Sequence, residues 1–318
     1  MKFLEQLIKK PDVFQRTVGL SLKQFELLSK QLIHPWQVAE QQRKMNTNRK
    51  RKFGGGRPYK LNDLKLKLLT VLVYYKAYLT QEFLGILIGL DQANVSRLLA
   101  KMRPLVEQAA DVELATYLKK VKEEYEKSDS QQHINNWSAF IQRYPDLKDV
   151  AIDATEQQCY RSQNNETQKK YYSGKKKLHT LKTQISVSMA GKIIDISDTY
   201  PGSIHDKAII DQERTVQKFP ERTCQRFDSG YQGVSKESPS HYIVIPIKKP
   251  YKKELSLFGK ELNTAHSKRR IIVENVLSRL KKFKICKYTF RGRINTYNQT
   301  FRNISALLNF RLNNSIAV

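Results

Sequence analysis

Apolar residues recur at helical spacing through the early part of the chain and at alternate positions later, so the sequence predicts helices first and strands afterwards. Between residues 1 and 33, Phe3, Leu4, Leu7 and Ile8, then Leu20, Leu22, Phe25, Leu28 and Leu32, are interleaved with charges. That spacing predicts helices acting as an arm or as a dimer contact. Leu61 to Tyr78 reads as an amphipathic helix with Asn62 as its N-cap. Residues 81–99 follow with the spacing of a helix-turn-helix: Gly85 where two helices cross, Gly89 where the turn needs positive φ, and Asp91 to cap the second helix. Val95, Leu98 and Leu99 would face the core. Residues 110–149 read as a helical connector of mixed charge, with turns near Ser128–Gln132 and Pro145.

After Val150 the period falls to two. Residues 150–153 form a short apolar strand closed by Asp153, and Leu181, Thr183, Ile185, Val187 and Met189 alternate with polar neighbours. Ala190-Gly191 turns that strand back into Lys192–Ser197. Residues 203–206 open a helix as a capping box, Thr223–Asp228 is a further strand, and His241–Ile247 is another. Lys268 to Lys284 is an amphipathic helix whose apolar arc gathers Ile272, Val273, Val276, Leu277, Leu280 and Phe283. Seven of its residues are cationic and only Glu274 is acidic. On a helical wheel Arg270, Glu274 and Lys281 share one side of that arc. An i, i+4 ion pair between Arg270 and Glu274 is the simplest use of the acid.

Charge changes the picture. The chain has 318 residues, with 57 Lys+Arg against 30 Asp+Glu. By segment, residues 1–112 hold 20 basic and 9 acidic residues, 113–149 hold 6 and 7, and 150–318 hold 31 and 14. Two basic blocks around a near-neutral one point to two surfaces facing nucleic acid. Arg43 to Lys52 carries six cations in ten residues and leads into three glycines and Arg57-Pro58. This is either a solvated linker or an extended arm suited to a minor groove. Cys159, Cys224 and Cys286 have neither zinc nor disulfide spacing. No apolar run is long enough to span a bilayer, and no signal sequence opens the chain, so a cytoplasmic, nucleoid-associated protein without a membrane partner is expected.

In the helix-turn-helix, Gln92, Asn94, Ser96 and Arg97 would point outward near the start of the second helix, where base edges are read, while Lys101 and Arg103 suit phosphates; a small helical bundle that only packs shows the same pattern, and the neighbouring charge favours DNA binding. In the second basic block, an acid closing one strand, another closing a later strand and a third on a helix make the layout of an RNase H-like nuclease core. Asp153, Asp228 and Glu274 brought together without metal would repel one another, and bound Mg²⁺ removes the conflict. Two Mg²⁺ or Mn²⁺ ions per site can activate a water or a 3′-hydroxyl and stabilise the leaving oxygen. Tyr171, Tyr172 and Lys175, Lys176 and Lys177 read either as a solvated loop or, from their combined aromatic and basic character, as contacts to a DNA strand, which is the reading favoured. Asp206 reads as a helix cap or as a site neighbour or auxiliary ligand, and His205 and His179 as hydrogen-bonded structural residues rather than acid–base catalysts. Glu156 and Asp195 read as solvent or ion-pair acids.

Five segments resemble a known family: residues 152–156, 168–182, 200–207, 228–233 and 270–274 are similar, in order, to DDE transposases of bacterial insertion sequences. The nearest branch is the fifth insertion-sequence family, related to the eukaryotic Harbinger elements. The resemblance extends from about Gly55 to about Phe310. It implies that Asp153, Asp228 and Glu274 are the DDE triad, and that Arg270 and Lys281 hold the element end. Ala154, Asn275 and Ser267 depart from the usual glycine, histidine and tyrosine of that pattern.

The resulting expectation is an α/β RNase H-like catalytic core behind an all-α helix-turn-helix domain. The plan is a helical arm and Gly-rich linker over 1–60, the DNA-binding domain over 61–112, a connector over 113–149 and the catalytic domain over 150–318, with a small insertion at about 232–267. The expected partners are double-stranded DNA, as terminal inverted repeats and target, and further copies of the chain in a homodimer or larger synaptic assembly. A non-catalytic DNA-binding regulator and a plain metal-dependent endonuclease are the competing readings.

Overall fold

The computed structural model describes residues 2–45, 60–110, 114, 116–129, 136–251 and 254–315. The Gly-rich joint and Arg57 lie outside these residues. The chain divides into two units: Met1–Val112 with Lys281–Lys287 and Gln299–Val318, and Glu113–Leu280 with Tyr288–Asn298.

Among the described residues the first unit is all helical. Lys2–Ile8, Pro11–Val18 and Leu22–Gln31 bury Leu4, Phe14, Val18, Phe25 and Leu28 completely, so the opening helices belong to the core of this unit and do not form a projecting arm. The next helix, Ile33–Met45, buries no residue. Leu64–Ala77 differs from the amphipathic expectation. Every residue from Leu66 to Tyr75 is buried, which makes it the unit's central helix. Lys67 is buried there because its ammonium donates to the Asn62 carbonyl at 2.9 Å and lies 4.4 Å from the Trp36 ring centre. The N-cap is Asp63 and not Asn62, since the Asp63 carboxylate accepts from the backbone N–H of Lys65 and Leu66. The last helix, Tyr297–Asn313, was expected within the catalytic part, yet from Gln299 onward it belongs to the helical unit. Its buried Asn303 donates to the Tyr75 hydroxyl at 2.8 Å and to the Arg103 carbonyl at 2.9 Å.

Helices Gln81–Ile88 and Gln92–Ala110 meet at 98° across a turn in which Gly89 has φ +73°. The Leu90 N–H returns to the Gly85 carbonyl at 2.9 Å, and a Cβ on Gly85 would sit 2.4 Å from the Leu90 carbonyl oxygen. Gly85→Ala is therefore expected to lower stability by about 1–3 kcal/mol through overpacking, read as a shift of the denaturant midpoint at unchanged slope.

The second unit is built on a mixed sheet of β1 (Asp149–Gln158), β2 (Tyr172–Ser173), β3 (Leu178–Ser188), β4 (Ile193–Ile196), β5 (Tyr200–Pro201), β6 (Cys224–Arg226) and β7 (Ile243–Val244). The spatial order is β2-β3-β1-β6-β7, with β4 and β5 also paired to β3. β1 runs antiparallel to β3 and parallel to β6, and β6 is parallel to β7. Helices flank the sheet, and the arrangement is RNase H-like. Three expectations are corrected. β1 continues for ten residues, so Asp153 lies inside it and does not close it. On β3 every residue from Thr180 to Ser188 is buried, so both faces of the strand are covered instead of one. The helix bearing Glu274 spans Leu257–Lys281 and starts well before Lys268. Helices Tyr117–Asp129 and Asn136–Arg143 contribute Leu118, Val121 and Phe140 to the core of this unit.

Cys159, Cys224 and Cys286 are buried and unpaired. Burial pushes the Cys224 thiol up to about 11 and the Cys286 thiol up to about 12, and it also raises Cys159. A thiolate-directed reagent near neutral pH is expected to label none of the three in the native protein and all three in denaturant.

Candidate active site and nucleic-acid interface

On the second helix of the helix-turn-helix, Val95 and Leu99 are buried while Gln92, Asn94, Ser96 and Arg97 are exposed. The Asp91 carboxylate accepts from the Asn94 N–H at 2.8 Å and from the Asn94 side-chain amide at 2.6 Å, and Arg97 donates to the Asn94 side-chain oxygen at 3.0 Å. Gln92 donates to Gln81 at 3.1 Å. The polar edge is thus ordered by its own bonds. Lys101 is placed otherwise than expected: it pairs with Glu40 and lies 4.0 Å from the Trp36 ring centre, so its charge is already engaged.

In the second unit, β1 and β6 pair through Ala151 and Arg226, and Asp153 and Asp228 each lie two residues beyond that pair. Asp228 leaves the strand by capping a short turn, accepting from the Gly230 N–H at 2.7 Å. Asp153 accepts from its neighbour's N–H, Ala154, at 2.8 Å with one oxygen and from Arg270 Nη2 at 3.1 Å with the other. Burial pushes the Asp153 carboxyl up to about 6; Arg270 opposes the shift, and the charges of Asp228 and Asp206 add to it. The Tyr231 hydroxyl is raised by burial and then by Asp206, Asp153 and Asp228. The three aspartates therefore share one neighbourhood.

Arg270 is thus bonded to Asp153, and the simple Arg270–Glu274 pair does not form. Glu274 is exposed one turn further along the same helix, and among the described residues its side chain has neither a hydrogen-bond nor an ion-pair partner. Among the described residues no group of three His, Cys, Asp or Glu side chains is arranged to hold a metal ion. Chemically, Asp153 and Asp228 suit a hard cation, since each offers carboxylate oxygens in a place where negative charge accumulates.

Two partly buried charge arrangements stand in the same unit, and sequence reasoning missed both. Arg226 makes a two-point pair with Asp149, at 2.7 and 2.9 Å, across β6 and β1. Lys182, with 7% of its side chain exposed, lies 2.8 Å from Asp206 and 3.5 Å from Glu156 and donates to the Ile204 carbonyl at 2.7 Å. Glu156 is therefore a buried ion-pair acid, not a solvated one. Asp195 pairs with Lys218 at 3.0 Å. The expected capping box at 203–206 is absent: His205 is the N-cap residue but makes no side-chain capping bond, and Ser203 donates to the Lys170 carbonyl. Asp206 is the first residue of its helix and turns to Lys182. His205 and Lys281 are exposed. Tyr172 stands against His179 with ring centres 5.7 Å apart, and Lys175, Lys176 and Lys177 are exposed at the turn into β3.

An RNase H-like sheet with one aspartate within β1 and another just past the end of the parallel β6, following a helix-turn-helix in the sequence, defines a class of DNA-acting enzymes, and comparison with known proteins supplies the family. Residues 152–309 match the DDE superfamily endonuclease family, and residues 59–111 match the helix-turn-helix of DDE superfamily endonuclease. The probable transposase for insertion sequence element IS702 of Microchaete diplosiphon is 30% identical over 265 residues, covering 83% of this chain and 86% of that protein. The chain belongs to the DDE superfamily of transposases and is an enzyme acting on DNA. Two solved structures are more distant. The Mos1 transposase paired-end complex with left transposon end has 10% identity and a TM-score of 0.24 over 88% of this chain and 84% of that one. The pre-cleavage Mos1 transpososome has 13% identity and a TM-score of 0.21 over 87% and 84%.

Proposed function

We propose that the protein binds the terminal inverted repeats of its own element, cuts a phosphodiester at each end and joins the freed 3′-hydroxyl to target DNA. The observation that carries this reading is the equal offset of Asp153 and Asp228 past the β1–β6 pairing, with Arg270 bonded to the first of them. Asp153, Asp228 and Glu274 are the residues to hold two Mg²⁺ or Mn²⁺ ions, which when bound would activate the attacking water or 3′-hydroxyl and stabilise the leaving oxygen. Asp206 is an auxiliary acid of that neighbourhood. Gln92, Asn94, Ser96 and Arg97 read base edges, and Tyr172 and Lys175 to Lys177 contact a strand near the cut. Arg270 and Lys281 meet the element end. Arg270 serves two partners in turn, balancing Asp153 before DNA arrives and a phosphate afterwards. The helical unit and the catalytic unit act as the DNA-recognition and cutting domains. Cutting and joining two ends requires a dimer or a larger synaptic assembly.

The test is incubation of the protein with Mg²⁺ or Mn²⁺, a DNA carrying the element's own inverted repeat, and a target plasmid. The expected products are cleaved ends and covalent joints between end and target. Cleavage without joints would identify an endonuclease, and binding without cleavage a regulator.

A further inference from the structure

The helix Leu257–Lys281 reaches the catalytic strands through a residue that lies before the predicted start of the helix. His266 is 4% exposed, and its Nε2 lies 2.8 Å from the carbonyl oxygen of Phe227. A carbonyl only accepts, so Nε2 carries the proton and donates. Nδ1 is buried and, among the described residues, has no partner, as suits a neutral ring. Phe227 is the residue immediately before Asp228. Its N–H still pairs with Val244 of β7 at 3.0 Å, but beyond it the chain leaves the sheet for the turn capped by Asp228. The peptide plane joining residues 227 and 228 is rigid, so holding the Phe227 oxygen constrains the Asp228 nitrogen and Cα, the point from which its side chain departs.

His266, Arg270 and Glu274 follow at i, i+4 and i+8 and therefore share one helical face. From that face His266 holds the backbone entering Asp228, and Arg270 holds the carboxylate of Asp153. Glu274 follows one turn later, so its position along the helix is referenced to both strands at once. We propose that His266 is a positioning residue for the metal-binding acids. It aims Asp228 by donating Nε2–H to the Phe227 carbonyl and sets the helix register that brings Glu274 to the same place. The inference rests on the metal-dependent reading of Asp153, Asp228 and Glu274.

The test compares wild type with His266→Leu, which fills space without a donor, and His266→Gln, whose amide retains one. Mn²⁺ affinity is measured by electron paramagnetic resonance on DNA-free protein, and kcat and KM on end DNA at saturating Mn²⁺. Loss of an outer-shell orienting bond changes metal affinity or activity by about 10–100-fold. His266→Leu is expected to weaken Mn²⁺ binding and lower kcat within that range at unchanged KM, and His266→Gln to recover most of both. Wild-type metal affinity and kcat in His266→Leu would overturn the proposal. So would equal loss in both variants with parallel loss of thermal stability, which would make the ring a core filler. Should His266→Leu not fold, His266→Gln alone decides: metal affinity near wild type supports the bond, and affinity as low as that of Asp228→Asn overturns it. Wild-type protein that binds no Mn²⁺ would overturn the metal-dependent reading itself, and this inference with it.

Discussion

Asp228→Asn and Asp153→Asn are each expected to reduce end cleavage by about three orders of magnitude or more, since loss of a metal ligand forfeits several kcal/mol of transition-state stabilisation. Cleavage of DNA carrying the inverted repeat, followed on a gel with Mg²⁺, measures this, and binding of the same DNA is expected to be retained. The two variants differ in the metal-free protein. Because the folded-state value of Asp153 lies at about 6, above the ordinary 3.8, the native state binds a proton in that window which the unfolded chain does not. Its contribution to stability therefore grows as pH falls through that window and is lost as pH rises through the folded value. Denaturation of metal-free wild type should show this slope, Asp228→Asn should keep it in part, and Asp153→Asn should lose it.

Lys182→Met is expected to cost about 3–5 kcal/mol of stability, because it leaves buried carboxylates without their counter-charge. Glu156 has 8% of its side chain exposed and Asp206 24%, and Lys182 is the cation between them. Glu156→Gln in the same chain should restore part of the loss, since one buried charge is removed with its partner. The measurement is the denaturant midpoint of the single and double variants. Equal midpoints for wild type and Lys182→Met would show that the pair contributes nothing.

The order of elements around the site was legible in the sequence because its acids stand at abrupt changes of texture: apolar residues end at Asp153 and Asp228, and the cationic stretch from Lys268 to Lys284 holds a single acid. The helix-turn-helix was legible from Gly85, Gly89 and Asp91, whose turn chemistry is local. Other features depend on tertiary partners and were not. Lys182, Gln184 and Ser186 look like a solvent face, yet all three are buried, and Lys182 and Gln184 find partners from other segments. Lys67 conceals the all-round burial of Leu64–Ala77 because Trp36 and the Asn62 carbonyl take its charge. His266 was missed because residues 257–267 carry no continuous apolar stripe to announce a helix. Its i, i+4, i+8 relation to Arg270 and Glu274 was the signal available. For Arg270, the local partner at Glu274 was the natural choice, and a carboxylate 117 residues away took its place.

Everything proposed for the chemistry depends on divalent ions shared by Asp153, Asp228 and Glu274. The direct measurement is Mn²⁺ anomalous diffraction from crystals of the protein bound to its own cleaved element end. Peaks within ligand distance of the Asp153, Asp228 and Glu274 carboxylates are the expected result. Full-strength peaks elsewhere on the protein, or ordered DNA at the site with no ion against these carboxylates, would contradict it.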